Sequence, residues 1–166
     1  MKAALLLFAK QKHDSRQGLS RTLLPSAAFE GQPPRVPELL MGIRLELEPR
    51  PEAGYQARDE VGDLLRDQVD DGVLIDLQLI VSELVTNSLR YGPGETIEVE
   101  IAVTEDGSIT GEVEDHGRGE VAIREIADES GGFGLRIVDA LASRWGVCDG
   151  STHVWFELSP WSNPAP

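Results

Sequence analysis

The sequence predicts an α+β fold: a two-layer sandwich in which a mixed, mostly antiparallel sheet carries helices on one face. Two observations support this prediction. Segments with an apolar residue at every second position, typical of strands, alternate along the chain with segments of helical periodicity. The elements follow in the order strand, helix, helix, strand, strand, helix, strand, strand, and turn residues separate the strands that are expected to pair.

The first strand and the first helix come directly after residue 41. Residues 43–47 alternate apolar and polar side chains and predict a half-buried strand, which Pro49 and Pro51 end. Residues 52–68 predict a helix. Its expected buried stripe consists of Tyr55, Val61, Leu64 and Leu65.

The longest helix is predicted over residues 73–91, and the glycines of Gly92-Pro93-Gly94 end it. Its apolar residues recur at helical spacing, so that they share one face. The residues expected on that face are Leu74, Leu77, Val81, Leu84, Val85 and Ser88.

Four strands and one more helix complete the predicted domain. The turn signal Asp106-Gly107 predicts a β-hairpin between the first two of these strands. Residues 135–143 predict an amphipathic helix. The strands are expected at residues 96–103, 108–114, 145–148 and 154–158.

The predicted domain spans residues 41–159, between an N-terminal arm and a short tail. Residues 1–40 show no sustained periodicity and contain four prolines, which is typical of a flexible or loosely docked arm. Because Met41 opens the first ordered segment, translation from Met41 is an alternative that a mass measurement on the native protein decides. The composition of residues 160–166 predicts a disordered tail.

Charge restricts the class of partner. The 166 residues include 15 Lys+Arg and 29 Asp+Glu, a formal net charge of −14. This charge repels nucleic-acid phosphates and anionic membranes, so neither is expected as a direct partner. Residues 1–35 are the exception, with six Lys+Arg against two Asp+Glu. The single Cys148 excludes a disulfide within the chain, and the three scattered histidines lack the spacing of metal ligands.

The N-terminus predicts a cytoplasmic protein. Lys2 and the apolar residues 3–9 resemble the start of a signal peptide, but Lys10 and Lys12 interrupt the run and no cleavage site follows. No stretch approaches the roughly 20 apolar residues of a membrane span.

Glu83 and Asn87 form the first candidate site. They lie one turn apart on the longest predicted helix, roughly opposite its apolar stripe. A carboxamide oxygen can bind a hard cation such as Mg²⁺, and a carboxylate can accept a proton. By themselves, a Glu and an Asn so placed are more typical of a solvated helix face than of a binding site.

Two glycine-rich segments form the second and third candidates. Asp115 ends a strand and precedes Gly117 and Gly119, so its carboxylate can accept a hydrogen bond from an exocyclic amine. Gly132 and Gly134 precede a helix whose first backbone N–H groups can bind phosphate. A polar strand exit and a flexible loop are the alternative interpretations.

Taken together, the order E-x-x-x-N, D-x-G-x-G and G-x-G-L resembles the N, G1 and G2 boxes of the GHKL ATPase superfamily. Within it the chain is similar to the small stand-alone branch of anti-sigma factors that are also serine/threonine kinases. The likeness covers about residues 43–158, and its most specific stretches are residues 82–88 (SELVTNS), 134–147 (GLRIVDALASRWGV) and 154–158 (VWFEL). The resemblance implies the Bergerat, or GHKL, ATP-binding fold.

The resemblance also implies roles for matching residues. Asn87 would hold the Mg²⁺ that bridges the ATP phosphates, and Glu83 would be the general base. Asp115 would bind the adenine amino group. The backbone N–H groups expected to face the phosphates are those of Gly132, Gly134 and Leu135. The residues expected to complete the adenine pocket are Gly117, Gly119 and Thr152, and residues 120–130 would form the ATP lid.

The function that the resemblance implies is that of a cytoplasmic regulatory kinase. It would phosphorylate an antagonist protein of the anti-anti-sigma type, sequester a sigma factor and so regulate transcription, and a homodimer is compatible with it. Tyr91 and His153 differ from the residues that relatives usually carry there. The alternatives are a nucleotide-dependent protein-binding switch without turnover, a fragment of a sensor histidine kinase, for which only His13 precedes the N box, and a metabolic enzyme.

Overall fold

The fold is a six-stranded sheet with helices packed on one face. A computed structural model describes residues 28–30, 39–92, 96–117, 134–148 and 152–160. The strands lie in the order β1-β5-β6-β4-β3-β2. The elements are β1 (Ala28–Glu30), β2 (Leu39–Leu47), α1 (Ala53–Leu65), α2 (Asp71–Tyr91), β3 (Ile97–Thr104), β4 (Ile109–Glu114), α3 (Gly134–Leu141), β5 (Arg144–Val147) and β6 (Val154–Leu158).

The sheet is mixed and mostly antiparallel. Strands β2, β3, β4, β6 and β5 pair antiparallel with their neighbours, whereas β1 pairs parallel with β5. The register between β3 and β4 places Val99 opposite Val113 and Glu98 opposite Glu114. Because side chains alternate between the two faces of a strand, this register puts an apolar face toward the helices and an acidic face on the other side. The predicted α+β fold class is therefore confirmed.

The core lies between the sheet and the face of α2 that the sequence predicts. Every residue expected on that face is buried, and Gly92 ends the helix as predicted. Asp70 caps the helix start, because its side chain accepts a hydrogen bond from the backbone N–H of Gly72 at 2.8 Å. By length and composition alone α2 also suits a membrane span. Its packing in the core accounts for that hydrophobicity, since Leu77 and Val81 are fully buried.

Helix α1 lies against α2 on a stripe that differs from the predicted one. Val61 and Leu65 are buried as expected and Leu64 is partly buried, but Tyr55 is 70% exposed, so its predicted burial is wrong. The physical reason is that small residues set the phase of the helix. The buried residues are Ala53, Gly54, Ala57, Val61, Gly62 and Leu65. Residues 53 and 57 both lie about 160° around the helix from residue 55.

The sheet also contains a strand that the sequence does not predict. Strand β1 falls within the predicted arm and pairs with β5, with Ala28 opposite Trp145. Strand β2 begins at Leu39, four residues before the predicted start, and an irregularity in its register lies between Leu39 and Met41. Part of residues 1–40 is therefore attached to the sheet, and the boundaries of the arm, the domain and the tail remain predictions.

Candidate functional site

Glu83 and Asn87 lie on the partly exposed side of α2, and both face the start of α3. A Cβ atom built at Gly134 would lie 3.0 Å from the Glu83 Oε2 and 3.0 Å from the Asn87 Nδ2. The Asn87 Oδ1 would lie 3.2 Å from the same point. The absence of a side chain at Gly134 therefore lets one carboxylate and one carboxamide approach the backbone of α3.

The start of α3 supplies backbone donors at this place. Helix α3 begins at Gly134, and Gly134 and Leu135 are both buried. The first N–H groups of a helix have no partner within the helix and carry the positive end of its dipole. Such a helix end binds anions, and it lies here beside two oxygen-bearing side chains that can hold a cation.

Asp115 lies at the end of β4 and is only 1% exposed. Its Oδ1 accepts a hydrogen bond from the backbone N–H of Gly117 at 2.8 Å and a second from the hydroxyl of Thr152. Its Oδ2 is buried without a hydrogen-bond partner among the described residues. A buried carboxylate oxygen without a donor is uncommon, because such an oxygen loses its hydration without a replacement. The site therefore offers an acceptor suited to a ligand N–H group.

Thr152, on the segment before β6, is brought to Asp115 by the pairing of β4 with β6. The Thr152 hydroxyl also lies 3.5 Å from the carbonyl oxygen of Gly117. Three of the four residues predicted for the adenine end, Asp115, Gly117 and Thr152, thus form one connected group.

Gly92 contacts a residue of the site, although the sequence predicts it only as the end of a helix. A Cβ atom there would overlap both the Cγ and the Oδ2 of Asp115. The C-terminus of α2 thereby touches the Asp115 carboxylate, while Glu83, nine residues earlier, faces α3. At 1.5 Å per residue these two points are about 14 Å apart along one helix. A single elongated ligand can contact both.

Two predicted site residues, Gly119 and Gly132, lie outside the described residues, as does the predicted lid at residues 120–130. The sequence therefore remains the only basis for their predicted roles.

The described residues fit Mg²⁺ and a nucleotide. The Asn87 carboxamide and the Glu83 carboxylate are hard oxygen ligands of the kind that Mg²⁺ prefers. Mg²⁺ usually takes only one or two protein ligands and completes its shell with water and substrate phosphates. No group of three or more His, Cys, Asp or Glu residues suited to a metal occurs within the described ranges, so a dedicated all-protein cage is absent there. The unpartnered Oδ2 of Asp115 fits the exocyclic amine of adenine.

Three groups with shifted pKa values, His116, His153 and Glu98, lie on the opposite face of the sheet. Hydrogen bonding to Glu98 raises the pKa of His116, and hydrogen bonding to Glu112 raises the pKa of His153. The pKa of Glu98 is lowered, first by its hydrogen bond with His116 and then by Arg44. The sequence interpretation gave neither histidine a role. Their position in the sequence could have indicated a role, since each histidine directly follows a residue predicted for the adenine site.

Comparisons with known proteins place this geometry in a family. Among solved structures, the chain is similar to the RsbU and RsbW domains of Rv1364c from Mycobacterium tuberculosis, with 22% identity and a TM-score of 0.51. The match covers 69% of this chain and 31% of that one, so the chain spans about a third of the length of this relative. At this level of identity the likeness shows the fold alone. A comparison with curated proteins gives no match.

Residues 47–158 match the family model described as the histidine kinase-like ATPase domain. The match includes Glu83, Asn87, Asp115, Gly134 and Thr152, which the structure places in the two connected groups described above. The family expected from the sequence motifs is confirmed. Because the family model covers more than half of the chain, the chain belongs to the histidine kinase-like ATPase domain family.

Proposed function

We propose that this protein binds Mg-ATP and acts as a regulatory serine/threonine protein kinase of the anti-sigma-factor type. The observation that carries the nucleotide part is the buried Oδ2 of Asp115, which has no donor among the described residues. Adenine presents an amine donor where guanine presents a carbonyl oxygen, so this acceptor favours ATP over GTP.

The phosphate end of the site is expected at the start of α3. There the N–H groups of Gly134 and Leu135, with those of Gly132, would face the phosphates, and the Asn87 Oδ1 would hold Mg²⁺. Bound Mg²⁺ supplies positive charge that neutralises the phosphates. This local neutralisation matters in a protein of net charge −14, whose overall field repels anions.

Glu83 is the group placed to accept a proton. Its Oε2 lies beside Gly134 and close to Asn87, on the side of α2 that faces the start of α3. A carboxylate at this place can take the proton of an attacking serine or threonine hydroxyl. Phosphoryl transfer otherwise requires mainly positioning and charge neutralisation, which the other site residues would supply.

The proposed protein partners follow from the family branch. The substrate would be an antagonist protein of the anti-anti-sigma type, and a sigma factor would be a second partner, with a homodimer as the assembly and the cytoplasm as the compartment. The likeness to the structural relative supports only the fold on which this proposal rests.

The test compares Glu83→Gln with wild type in two assays. One is calorimetric binding of Mg-ATP, and the other is transfer of labelled γ-phosphate to purified anti-anti-sigma proteins. Glu83→Gln is expected to abolish transfer while changing ATP affinity by less than about threefold, since an amide has the shape of the carboxylate but accepts no proton. Asp63→Asn, on an exposed part of α1, is the matched control for loss of one carboxylate.

Each outcome has a distinct meaning. Transfer that survives in Glu83→Gln would show that Glu83 is not the base. A wild-type protein that binds ATP but transfers no phosphate to any of these proteins would be a nucleotide-dependent binding switch, and the kinase assignment would be withdrawn.

A further inference from the structure

Two histidines directly follow two residues of the proposed adenine site. His116 follows Asp115 and His153 follows Thr152. Asp115 and Thr152 meet each other on one side, whereas the two histidines contact the glutamates on the other side.

Glu114 connects the two histidines. Its Oε1 lies 3.4 Å from the Nδ1 of His116, and its Oε2 lies 4.0 Å from the Nδ1 of His153. Each histidine has a closer partner as well: Glu98 Oε1 is 3.1 Å from His116 Nε2, and Glu112 Oε2 is 2.8 Å from His153 Nε2. The end of β4 is therefore joined to the segment before β6 on both faces: through Asp115 and Thr152 on one face, and on the other through His153, which contacts Glu112 at 2.8 Å and Glu114 at 4.0 Å.

His116 also determines the turn that orients Asp115. Its φ of +54° makes it the single described residue other than glycine with a left-handed backbone. This conformation is unfavourable for a residue with a Cβ; the hydrogen bond from the Gly117 N–H to Asp115 Oδ1 spans it, and the contacts of the His116 side chain with Glu98 and Glu114 add to it. The turn brings the Gly117 N–H to the Asp115 Oδ1, which leaves Oδ2 as the oxygen without a donor.

We propose that His116 and His153 are positioning residues for the nucleotide site, which act in their protonated forms by tying the Asp115 turn and the Thr152 segment together through Glu114. This inference rests on the proposed function, because it assumes that Asp115 binds the nucleotide. It adds that side chains on the opposite face of the sheet position the residues of that site.

The charges around the histidines favour the protonated forms. Glu98 lies opposite Glu114 and Glu100 lies opposite Glu112 in the β3–β4 register, and directly opposed like charges destabilise a sheet. Arg44 on β2 neutralises part of this charge through its contacts with Glu98 and Glu100.

Each histidine faces carboxylates from both strands. His116 faces Glu98 on β3 and Glu114 on β4, with Asp115 beside it in the chain. His153 faces Glu112 and Glu114 on β4, with Glu100 of β3 nearby. Arg44, which contacts Glu98 and Glu100, is the cation beside these carboxylates.

The sign of the pH dependence follows from these contacts. The pKa of both histidines is raised above the usual value near 6.5. The ties are therefore complete at low pH and are lost as the pH rises through the raised pKa values. ATP affinity is expected to fall over the same range. By linkage, bound ATP must raise the pKa of the same histidines.

The experiment measures the Mg-ATP dissociation constant by calorimetry between pH 6 and 8.5, at saturating Mg²⁺. Wild type is expected to lose about fivefold or more in affinity across this range, as is typical of coupled sites. Glu114→Gln removes the shared acceptor and is expected to reduce the pH dependence, while Glu98 and Glu112 keep their contacts with the two histidines. Glu105→Gln, in the exposed β3–β4 turn, removes the same charge and is expected to behave as wild type.

Two variants of His116 separate the backbone turn from the ionic tie. His116→Gln keeps an unfavourable left-handed residue without its charge, and we expect weak binding at every pH. His116→Gly adopts the same backbone freely, so we expect near wild-type affinity with only the pH dependence that His153 contributes. Histidine titrations followed by NMR, with and without ATP, give an independent readout that a merely structural role would not move.

The outcomes distinguish this inference from the proposed function. Saturable ATP binding with the same pH dependence in wild type, Glu114→Gln and Glu105→Gln would overturn the positioning role alone. Histidine pKa values that ATP leaves unchanged would overturn it as well. Absence of ATP binding at every pH would overturn both proposals.

Discussion

The substitution Asp115→Asn tests the adenine site most sharply, because the two oxygens of this carboxylate have different surroundings. Oδ1 accepts hydrogen bonds from Gly117 and Thr152, whereas Oδ2 is buried without a donor in the described structure. An asparagine that keeps its oxygen at Oδ1 places an NH₂ donor at Oδ2. That donor opposes the amine of adenine and suits the carbonyl of guanine.

The magnitude follows from the hydrogen bond that is lost. A hydrogen bond to a charged group is worth about 1.5–3 kcal/mol, so ATP affinity should fall about 10- to 150-fold. The free protein should lose no stability, because the substitution removes a buried charge and keeps the bonds at Oδ1. We expect Tm to stay constant or to rise by a few degrees.

The assay is calorimetric titration of the protein with Mg-ATP and with Mg-GTP, together with a thermal unfolding scan. Asp63→Asn is the matched control, since the Asp63 side chain is 79% exposed and contacts Arg66. An unchanged ATP to GTP ratio would refute the adenine role of Asp115. A fall in Tm of more than about 5 °C would show that the carboxylate acts in folding instead.

Three further predictions concern α2 and its neighbours. Asn87→Ala should weaken ATP binding in Mg²⁺ far more than in EDTA, and equal losses in a calorimetric comparison would exclude a metal role. Gly134→Ala should retain the fold but weaken Mg-ATP binding by about tenfold, or about 1.4 kcal/mol. The reason is that its methyl carbon would lie 3.0 Å from the polar atoms of two α2 side chains. An unchanged dissociation constant would contradict that packing. Gly54→Ala should lower the free energy of unfolding in urea by about 1–3 kcal/mol, because its Cβ would lie 3.1 Å from a backbone oxygen of α2. Gly62→Ala should change it by less than about 1 kcal/mol, because the overlap is only with the end of the flexible Gln78 side chain, which can turn away by giving up its hydrogen bond to the Arg58 carbonyl. The reverse order would refute the α1–α2 packing.

Local periodicity accounts for the part of the fold that could be predicted. The longest helix was expected over residues 73–91 and spans Asp71–Tyr91, because its buried face repeats at helical spacing. Strand β1 could not be predicted in this way. It has three residues, and its partner β5 lies more than 100 positions later, so no local pattern marks it.

Tyr55 shows why a stripe of large apolar residues can mislead. The close approach of α1 to α2 depends on Gly54 and Gly62, which leave space for the side chains of Thr86 and Gln78. Small residues therefore decide which side of α1 is buried, and the aromatic ring lies on the outside.

The sequence predicts the individual residues of the candidate site better than it predicts the contacts between them. The spacing of Glu83 and Asn87 places them on one side of a helix without further information. Their contact with Gly134 depends on the packing of α3 on α2, and the contact between Asp115 and Thr152 depends on the pairing of β4 with β6. Spacing alone determines neither contact, so the family motifs were needed to predict them.

The central claim, that this domain binds ATP through the Asn87 and Asp115 groups, is tested most directly by calorimetric titration of the purified protein with ATP in saturating Mg²⁺. The account predicts saturable binding of one ATP per chain that weakens when EDTA replaces Mg²⁺. Absence of saturable binding up to about 1 mM ATP, which corresponds to a binding free energy weaker than about −4 kcal/mol, would contradict it.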